Sequence, residues 1–518
     1  MSASPVADKK PTVCFVSFSP IADDARVRRH GDALHEEGWS VVAVGLPGAK
    51  SHPPAWAVID RVEEAASGAD EIDLAGTQLP EVISEEAVEI PRPLSPSRQH
   101  LARRVAKFAY WRSRWVVGRV VGPPVRKARS TAGAFKGAVK GSVAPGTTTG
   151  RFARAAMRRA TTAADILQMS SLRAAGVSRI LPNVRTWREF IPYIRLLRAH
   201  VDREHALKIY WSWPSMQEMY EKARQVDADL WVANDWSTLP IIARIVEEKG
   251  GTYFYDSHEF ATEEYPNNPH WVAFTKPIAK AVEEKFIRGS KRRFSVSPGI
   301  AKALNELYAL NPPCEVLRNM PLRQDPTFRP TGDVVRVLYH GILSPERGLE
   351  AAIESIPFWR PEFHLTIRGP GNPAYVASLR KLIRKMGVND RVTIAPPVPM
   401  IELVRAAKEF DVGFFALPDN SPHNKFALPN KFFEYVNSGL ALCVTSCPDM
   451  AELVDRYNLG VLMPTTGPQD IAAVVNALDR DTIDSYKRNS IAASEELCWQ
   501  AERMKLVRAC NETLKLVG

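Results

Sequence analysis

The chain has 518 residues, which is too long for one ordinary hydrophobic core and predicts two or three domains. Its 45% hydrophobic and 24% charged residues are those of a globular protein, no apolar run approaches a membrane span, and the polar Met1–Lys10 stretch does not read as a signal peptide. The formal net charge of +10 is unevenly placed: Arg92 to Ala164 holds seventeen Lys or Arg and no acid, so the remainder carries about −7.

The opening reads as strand, loop, helix, strand. Thr12–Phe18 is apolar and β-rich, Asp24–Glu37 is helical and closes at Gly38, and Trp39–Val44 is a second strand. This is the start of a doubly wound parallel sheet. Gly48–Pro91 reads as loop and acidic stretch, with one candidate edge strand at Ala87–Ile90. The basic segment follows. Regular alternation resumes near Asp227, with strands at Leu230–Asn234, Thr252–Tyr255, Arg293–Val296 and Glu315–Leu317. Helices are expected at Ser237–Lys249, Pro269–Arg288 and Pro298–Tyr308, the last with Pro in its first turn.

Asn319–Asp333, rich in Pro, Asp and Arg, reads as a linker. A second set of strands is expected at Val335–Tyr339, Phe363–Arg368, Arg391–Ala395, Asp411–Phe415, Ala441–Thr445 and Gly460–Met463, with a final helix over Glu496–Leu516. The domain reading is therefore 1–320 for the first α/β domain, with the basic insertion over about 92–200. A second α/β domain spans 321–490, and the helix in 491–518 is expected to cross back to the first. Ligands of such sheets bind outside the C-terminal strand ends, so two facing domains would form a cleft with one ligand site on each wall. The six cysteines are scattered among apolar stretches, the pattern of reduced, buried thiols; Cys443 and Cys447 lack companions for a zinc site.

The second half carries the strongest motif. Leu428-Pro429-Asn430-Lys431-Phe432-Phe433-Glu434-Tyr435 opens a helix whose unpaired N–H groups and dipole suit a diphosphate. Glu434, one turn in, suits a ribose diol, with a solvated surface glutamate as the plain alternative. Upstream, Tyr339-His340-Gly341 ends a strand, and Arg347-Gly348 stands at the start of a helix, where a cation could neutralise a leaving group. Gly369 ends the next strand in a tight turn.

In order and spacing these pieces resemble family four of the retaining glycosyltransferases (glycosyl transferases group 1), which have the GT-B fold. Asp256-Ser257-His258-Glu259, Ser295-Val296-Ser297-Pro298, Val316-Leu317-Arg318-Asn319 and Asp24-Ala25-Arg26-Val27 resemble its first-domain markers. The resemblance implies an α/β GT-B protein of two facing Rossmann-like domains with a basic helical insertion in the first. It implies catalytic roles for His258 and Arg347; Lys431, beside the helix N-terminus, could supply the cation missing at Ile342. Glu434, Asn430, Gly341 and Gly369 would hold the nucleotide, and Asp235 and Glu259 would contact substrate. His258 matches a histidine near the transferred sugar, although a strand-end histidine is often only structural. Three positions depart from the pattern. Phe426 stands where the first Glu of the family's Glu-x7-Glu motif is expected, Ile342 replaces an Arg, and Ser17-Phe18-Ser19-Pro20 replaces a Gly-rich loop.

The implied activity is transfer of a sugar, with retention, from a nucleotide-diphosphate sugar to a glycan or lipid-linked acceptor. Front-face attack through an oxocarbenium-like transition state is expected. No cofactor and no metal ion are expected. A sugar-nucleotide epimerase of the same fold and a catalytically weak, membrane-associated binding protein are the alternatives.

In the basic segment, Leu101, Val105, Phe108 and Trp115 share a helical face and six arginines and lysines crowd the rest. Such a helix over 98–129 suits an anionic membrane surface, which places the protein in the cytoplasm and peripherally on the inner face of the plasma membrane. The plain alternative is a solvated basic insertion. No recognition module for specific nucleic-acid binding is visible.

Overall fold

The structure, a computed structural model, describes residues 10–49, 51–60, 193 and 196–515. The chain opens with β1 (Thr12–Val16), α1 (Ala25–Glu36) and β2 (Ser40–Val44), followed by β3 (Ala57–Ile59). Asp24 starts α1 by accepting from the backbone N–H groups of Arg26 and Val27, the orphan donors of a first turn. After α2 (Arg203–Ser212) and α3 (Pro214–Ala223), strand and helix alternate through β4 (Leu230–Asn234), α4 (Leu239–Lys249) and β5 (Thr252–Ser257). Then come α5 (Lys276–Phe286), β6 (Arg292–Ser295), α6 (Pro298–Tyr308) and β7 (Glu315–Val316).

All seven strands pair in parallel in the order β3-β2-β1-β4-β5-β6-β7. The order reverses between β1 and β4, and it is at the C-terminal strand ends beside such a switch point that ligands of doubly wound sheets bind.

The second sheet is built from β8 (Val335–His340), α7 (Leu349–Ser355), β9 (Phe363–Arg368), α8 (Pro373–Met386), β10 (Val392–Ala395), α9 (Leu403–Ala407) and β11 (Val412–Phe415). It continues with α10 (Pro422–Lys425), α11 (Asn430–Asn437), β12 (Ala441–Thr445), α12 (Pro448–Tyr457), β13 (Gly460–Met463), α13 (Pro468–Asn476) and α14 (Arg480–Ala493). Its parallel order is β10-β9-β8-β11-β12-β13, with the switch between β8 and β11. Two doubly wound parallel sheets in one chain are the two Rossmann-like domains of the GT-B architecture. The last helix, α15 (Trp499–Leu514), packs on the first sheet: Trp499, Leu506, Val507, Ala509 and Cys510 join Val13, Phe15, Val27 and Leu34 in one core.

Two local readings change. The first sheet's edge strand is Ala57–Ile59, in a stretch read as loop, while Ala87–Ile90 lies outside the described residues. Three residues are too few for a period-two signal. The strand is held by Trp56, whose ring lies on Gly31 and whose Nε1 donates to Asp32 at 2.8 Å. The helix expected over Pro269–Arg288 runs unbroken but changes its winding, with a π turn at Trp271–Thr275, α5, and a 3-10 turn at Ile287–Gly289. Pro277 has no N–H for the ladder, and just before it the Lys276 N–H reaches five residues back to Trp271.

By internal packing the chain divides into one unit of 1–90, 217–260 and 286–518, which holds both sheets, and a second of 91–216 and 261–285. In the second unit Asp202 caps α2 through the His205 N–H, and Lys276 pairs with Glu263 at 2.6 Å. The basic segment, including 98–129, lies outside the described residues. All six cysteines are buried. No helix among the described residues is long and apolar enough to cross a membrane.

Candidate active site

At the second sheet's switch point, β8 ends in His340 and Gly341, and β9 in Arg368 and Gly369. Gly369 has φ 153°, and a Cβ there would lie 1.8 Å from the Gly341 carbonyl oxygen. Only glycine lets the two turns touch and leave the strand ends open. Beside them, α11 begins after Pro429 with no side-chain cap, so Asn430 and Lys431 stand at a helix end whose N–H groups are free of side-chain acceptors.

The Lys431 Nζ sits 4.0 Å from the Tyr339 ring centroid and 4.1 Å from that of Phe415, against Gly341. Burial pushes this ammonium well below its ordinary pKa; Arg347 acts in the same direction and Glu434 opposes. Arg347, just before α7, has no carboxylate within ion-pair distance among the described residues. Ile342 is 52% exposed and carries no charge to the site.

Glu434 lies one turn into α11. Its Oε2 is 2.9 Å from His340 Nε2, and the His340 ring stacks on Tyr435 at 4.8 Å. Burial works to raise the Glu434 carboxyl, but His340, Arg29 and Lys431 outweigh it and hold it below the usual carboxylate range. Arg29 reaches this group from the first domain. It donates to the Asn319 side chain, and burial lowers its guanidinium to about 10.

The first sheet's edge is built differently. The Arg26 guanidinium grips Asp256 through Nε at 2.8 Å and NH2 at 2.5 Å, and its NH1 donates to the Leu317 carbonyl at 2.9 Å. Both side chains are about 2% exposed or less. Burial works to raise the Asp256 carboxyl, and Arg26 overrides it, holding the group far below the carboxylate range.

His258, just past β5, stands between two carboxylates. Nδ1 is 3.4 Å from Asp235 and Nε2 is 3.5 Å from Asp256. Burial would push the imidazole down, but the two carboxylates raise it to about 9, so it is a cation at neutral pH. Asp235 adopts φ 64° and accepts from the His258 N–H at 3.1 Å, a backbone conformation unusual outside glycine that aims its carboxylate at His258. His30 lies behind, 3.6 Å from Asp256 and stacked on Trp499; burial holds it neutral.

The two sheet edges touch. The Ser297 Oγ donates to the Phe426 carbonyl at 2.7 Å, and the Gly299 N–H donates to Asp449 at 2.8 Å. The Phe426 ring fills the space a Gly299 Cβ would need. Position 426 is thus a contact between the domains. Glu259 reaches across to His423 on α10 at 3.3 Å. The surrounding protein raises the Glu259 carboxyl, against the pull of His258 and Arg347.

The structure therefore brings Gly341, Gly369, Asn430, Lys431, Arg347 and Glu434 to one switch point, and Asp235, His258 and Glu259 to the other. Sequence reading passes over His340, Arg29 and His423. His340 carried the one available signal, a polar residue ending an apolar strand before a glycine. Among the described residues no group of three or more His, Cys, Asp or Glu side chains is placed to hold a metal ion.

Comparison with known proteins agrees with this geometry. Residues 335–481 match the family described as glycosyl transferases group 1. Two solved structures share the fold over 98% of this chain and 100% of their own. Sucrose-phosphate synthase from Thermosynechococcus elongatus superimposes with a TM-score of 0.58 at 12% identity. A glycosyltransferase from Rickettsia africae ESF-5 superimposes with a TM-score of 0.52 at 10% identity. No curated protein matches the chain. The chain thus carries a glycosyl transferases group 1 domain over 335–481, the domain of a transferase enzyme, set in a two-domain frame of the GT-B fold.

Proposed function

We propose that the protein transfers a sugar, with retention, from a nucleotide-diphosphate sugar to a glycan or lipid-linked acceptor. The observation that carries this reading is the convergence of Lys431, Arg347 and the uncapped α11 N-terminus around Gly341, with Glu434 one turn further on. Three sources of positive potential with one oriented carboxylate suit a diphosphate followed by a ribose diol. His340 holds Glu434 so that its second oxygen can accept from the ribose hydroxyls.

In this reading Arg347 and Lys431 receive the charge that develops on the departing diphosphate, and no metal ion is needed for that task. His258, held as a cation with its two ring nitrogens facing Asp235 and Asp256, lends positive charge beside the transferred sugar and is in the wrong protonation state to act as a base. The acceptor hydroxyl approaches along the first sheet edge beside Asp235 and attacks the face the diphosphate leaves, its proton passing to the departing phosphate oxygen as the bond from that oxygen to the sugar breaks. Work at an anionic membrane face, through the segment 98–129, rests on the basic and aromatic sequence of that segment.

A calorimetric screen of nucleotide sugars tests the donor. Glu434→Ala should raise the dissociation constant about tenfold or more, because a hydrogen bond to a charged group is worth about 1.5–3 kcal/mol. Unchanged binding would remove the ribose role.

A further inference from the structure

The donor reading leaves the discrimination of one sugar from another unexplained, and the contact between the two sheet edges supplies a candidate. We infer that Glu259, paired with His423, is the specificity-determining group for the hydroxyls of the donor sugar. This rests on the donor reading above.

Most carboxylates at the two switch points are already engaged. Asp256 is gripped by Arg26, Asp235 is held to His258 through both backbone and side chain, and Glu434 is held by His340. Glu259 differs. Its side chain is 49% exposed, its ion-pair partner is an imidazole on α10 of the second domain, and it lies within the fields of both His258 and Arg347. Those two residues mark the ends of the span a donor sugar would occupy, with the diphosphate at Arg347 and the sugar at His258. A carboxylate in that span with a free lone pair can accept from a sugar hydroxyl, and the imidazole beside it fixes its position.

The pair exists because of Phe426. Its ring is seated against Gly299 and its carbonyl accepts from Ser297, which pins the short turn Pro422–Lys425 to the first domain. His423 is thereby carried to Glu259. The same packing commits position 426 to the interdomain contact. Glu259 is half exposed, so its pairing with His423 adds little to stability and a stabilising role does not account for it.

The test compares binding of UDP and GDP with binding and hydrolysis of UDP-glucose, UDP-galactose, GDP-glucose and GDP-mannose by the full chain, wild type and variants. In wild type one nucleoside diphosphate binds, and one hexose of its epimeric pair is preferred. Glu259→Gln, which keeps shape and removes charge, should lower kcat/KM for the preferred hexose about tenfold or more and reduce the preference to about twofold, one charged hydrogen bond being at stake. Affinity for the bare diphosphate should stay within about twofold of wild type. His423→Gln should shift the preference in the same direction, and the double variant should fall short of the sum of the two, as coupled groups do. An unchanged preference in Glu259→Gln, an equal loss of bare diphosphate affinity, or additive variants would each overturn the inference. Failure of wild type to bind any nucleoside diphosphate would overturn the donor reading itself, and the inference with it.

Discussion

The two sheet edges have the same topology and opposite electrostatics. On the first, buried charges pair with one another: Arg26 with Asp256, and His258 with Asp235 and Asp256. On the second, Arg347 and Lys431 stand close enough to repel, with Glu434 the one carboxylate acting on Lys431, itself engaged by His340. A charge network closed on itself positions a side chain. An excess of one sign, kept in place by packing, leaves electrostatic work for a ligand of the other sign. Under the proposed function, the first edge orients and the second binds the anion.

The contrast breaks most sharply at Arg26. Arg26→Ala leaves Asp256 buried without its cation and should cost about 3–5 kcal/mol in chemical denaturation, as removal of one partner of a buried pair does. A loss below about 1 kcal/mol would mean that the pair is not a structural element.

Next comes the pH dependence of the same edge. His258 is raised from 6.5 to about 9, so its contribution is fully present below pH 6.5 and is lost as pH rises through about 9. The shift corresponds to about 3 kcal/mol. Denaturation midpoints should decline across that window, and Asp235→Asn should flatten the decline. A profile that stays flat in wild type would show that the two carboxylates do not hold the imidazolium.

Arg347→Ala makes the reverse comparison. Removing a cation that has no carboxylate partner should leave stability within about 0.5 kcal/mol. Turnover should nevertheless fall about 10²- to 10³-fold if the charge acts on the leaving group. A rise in KM with kcat intact would make it a ground-state binder instead.

The smallest effect is expected where the edges meet. Asp449 accepts from the Gly299 N–H at the start of α6, and Asp449→Asn removes the charge from that helix end. The expected loss is about 0.3–1 kcal/mol, and it should shrink with added salt. A loss independent of salt would point to the hydrogen bond alone.

Much of this architecture is legible from local chemistry. The strands Phe363–Arg368, Ala441–Thr445 and Gly460–Met463 are short apolar runs bounded by turn residues, and they form at those boundaries. The Asp24 and Ser297 side chains start α1 and α6 because each accepts from a first-turn N–H a few residues away. The glycines after β8 and β9 and the polar start of α11 mark one site for the same reason: a turn, a cap and a helix end are set by neighbours in sequence.

Partner choice is not set that way. Arg26 and Asp256 are 230 residues apart, and nothing in either motif names the other. His340 looks like any strand-end residue until α11 brings Glu434 to it, and His423 acquires its partner only because Phe426 seats against Gly299. The edge strand Ala57–Ile59 depends on a tryptophan packed onto α1, and α15 on an apolar face that is complete only beside the first sheet. Sequence alone therefore determined the elements and the residues that could carry charge at their ends, because propensity, capping and turn geometry act over a few residues. The tertiary structure decided which charges are neutralised and which are left for a ligand, because that depends on distances between side chains that only the folded chain brings together.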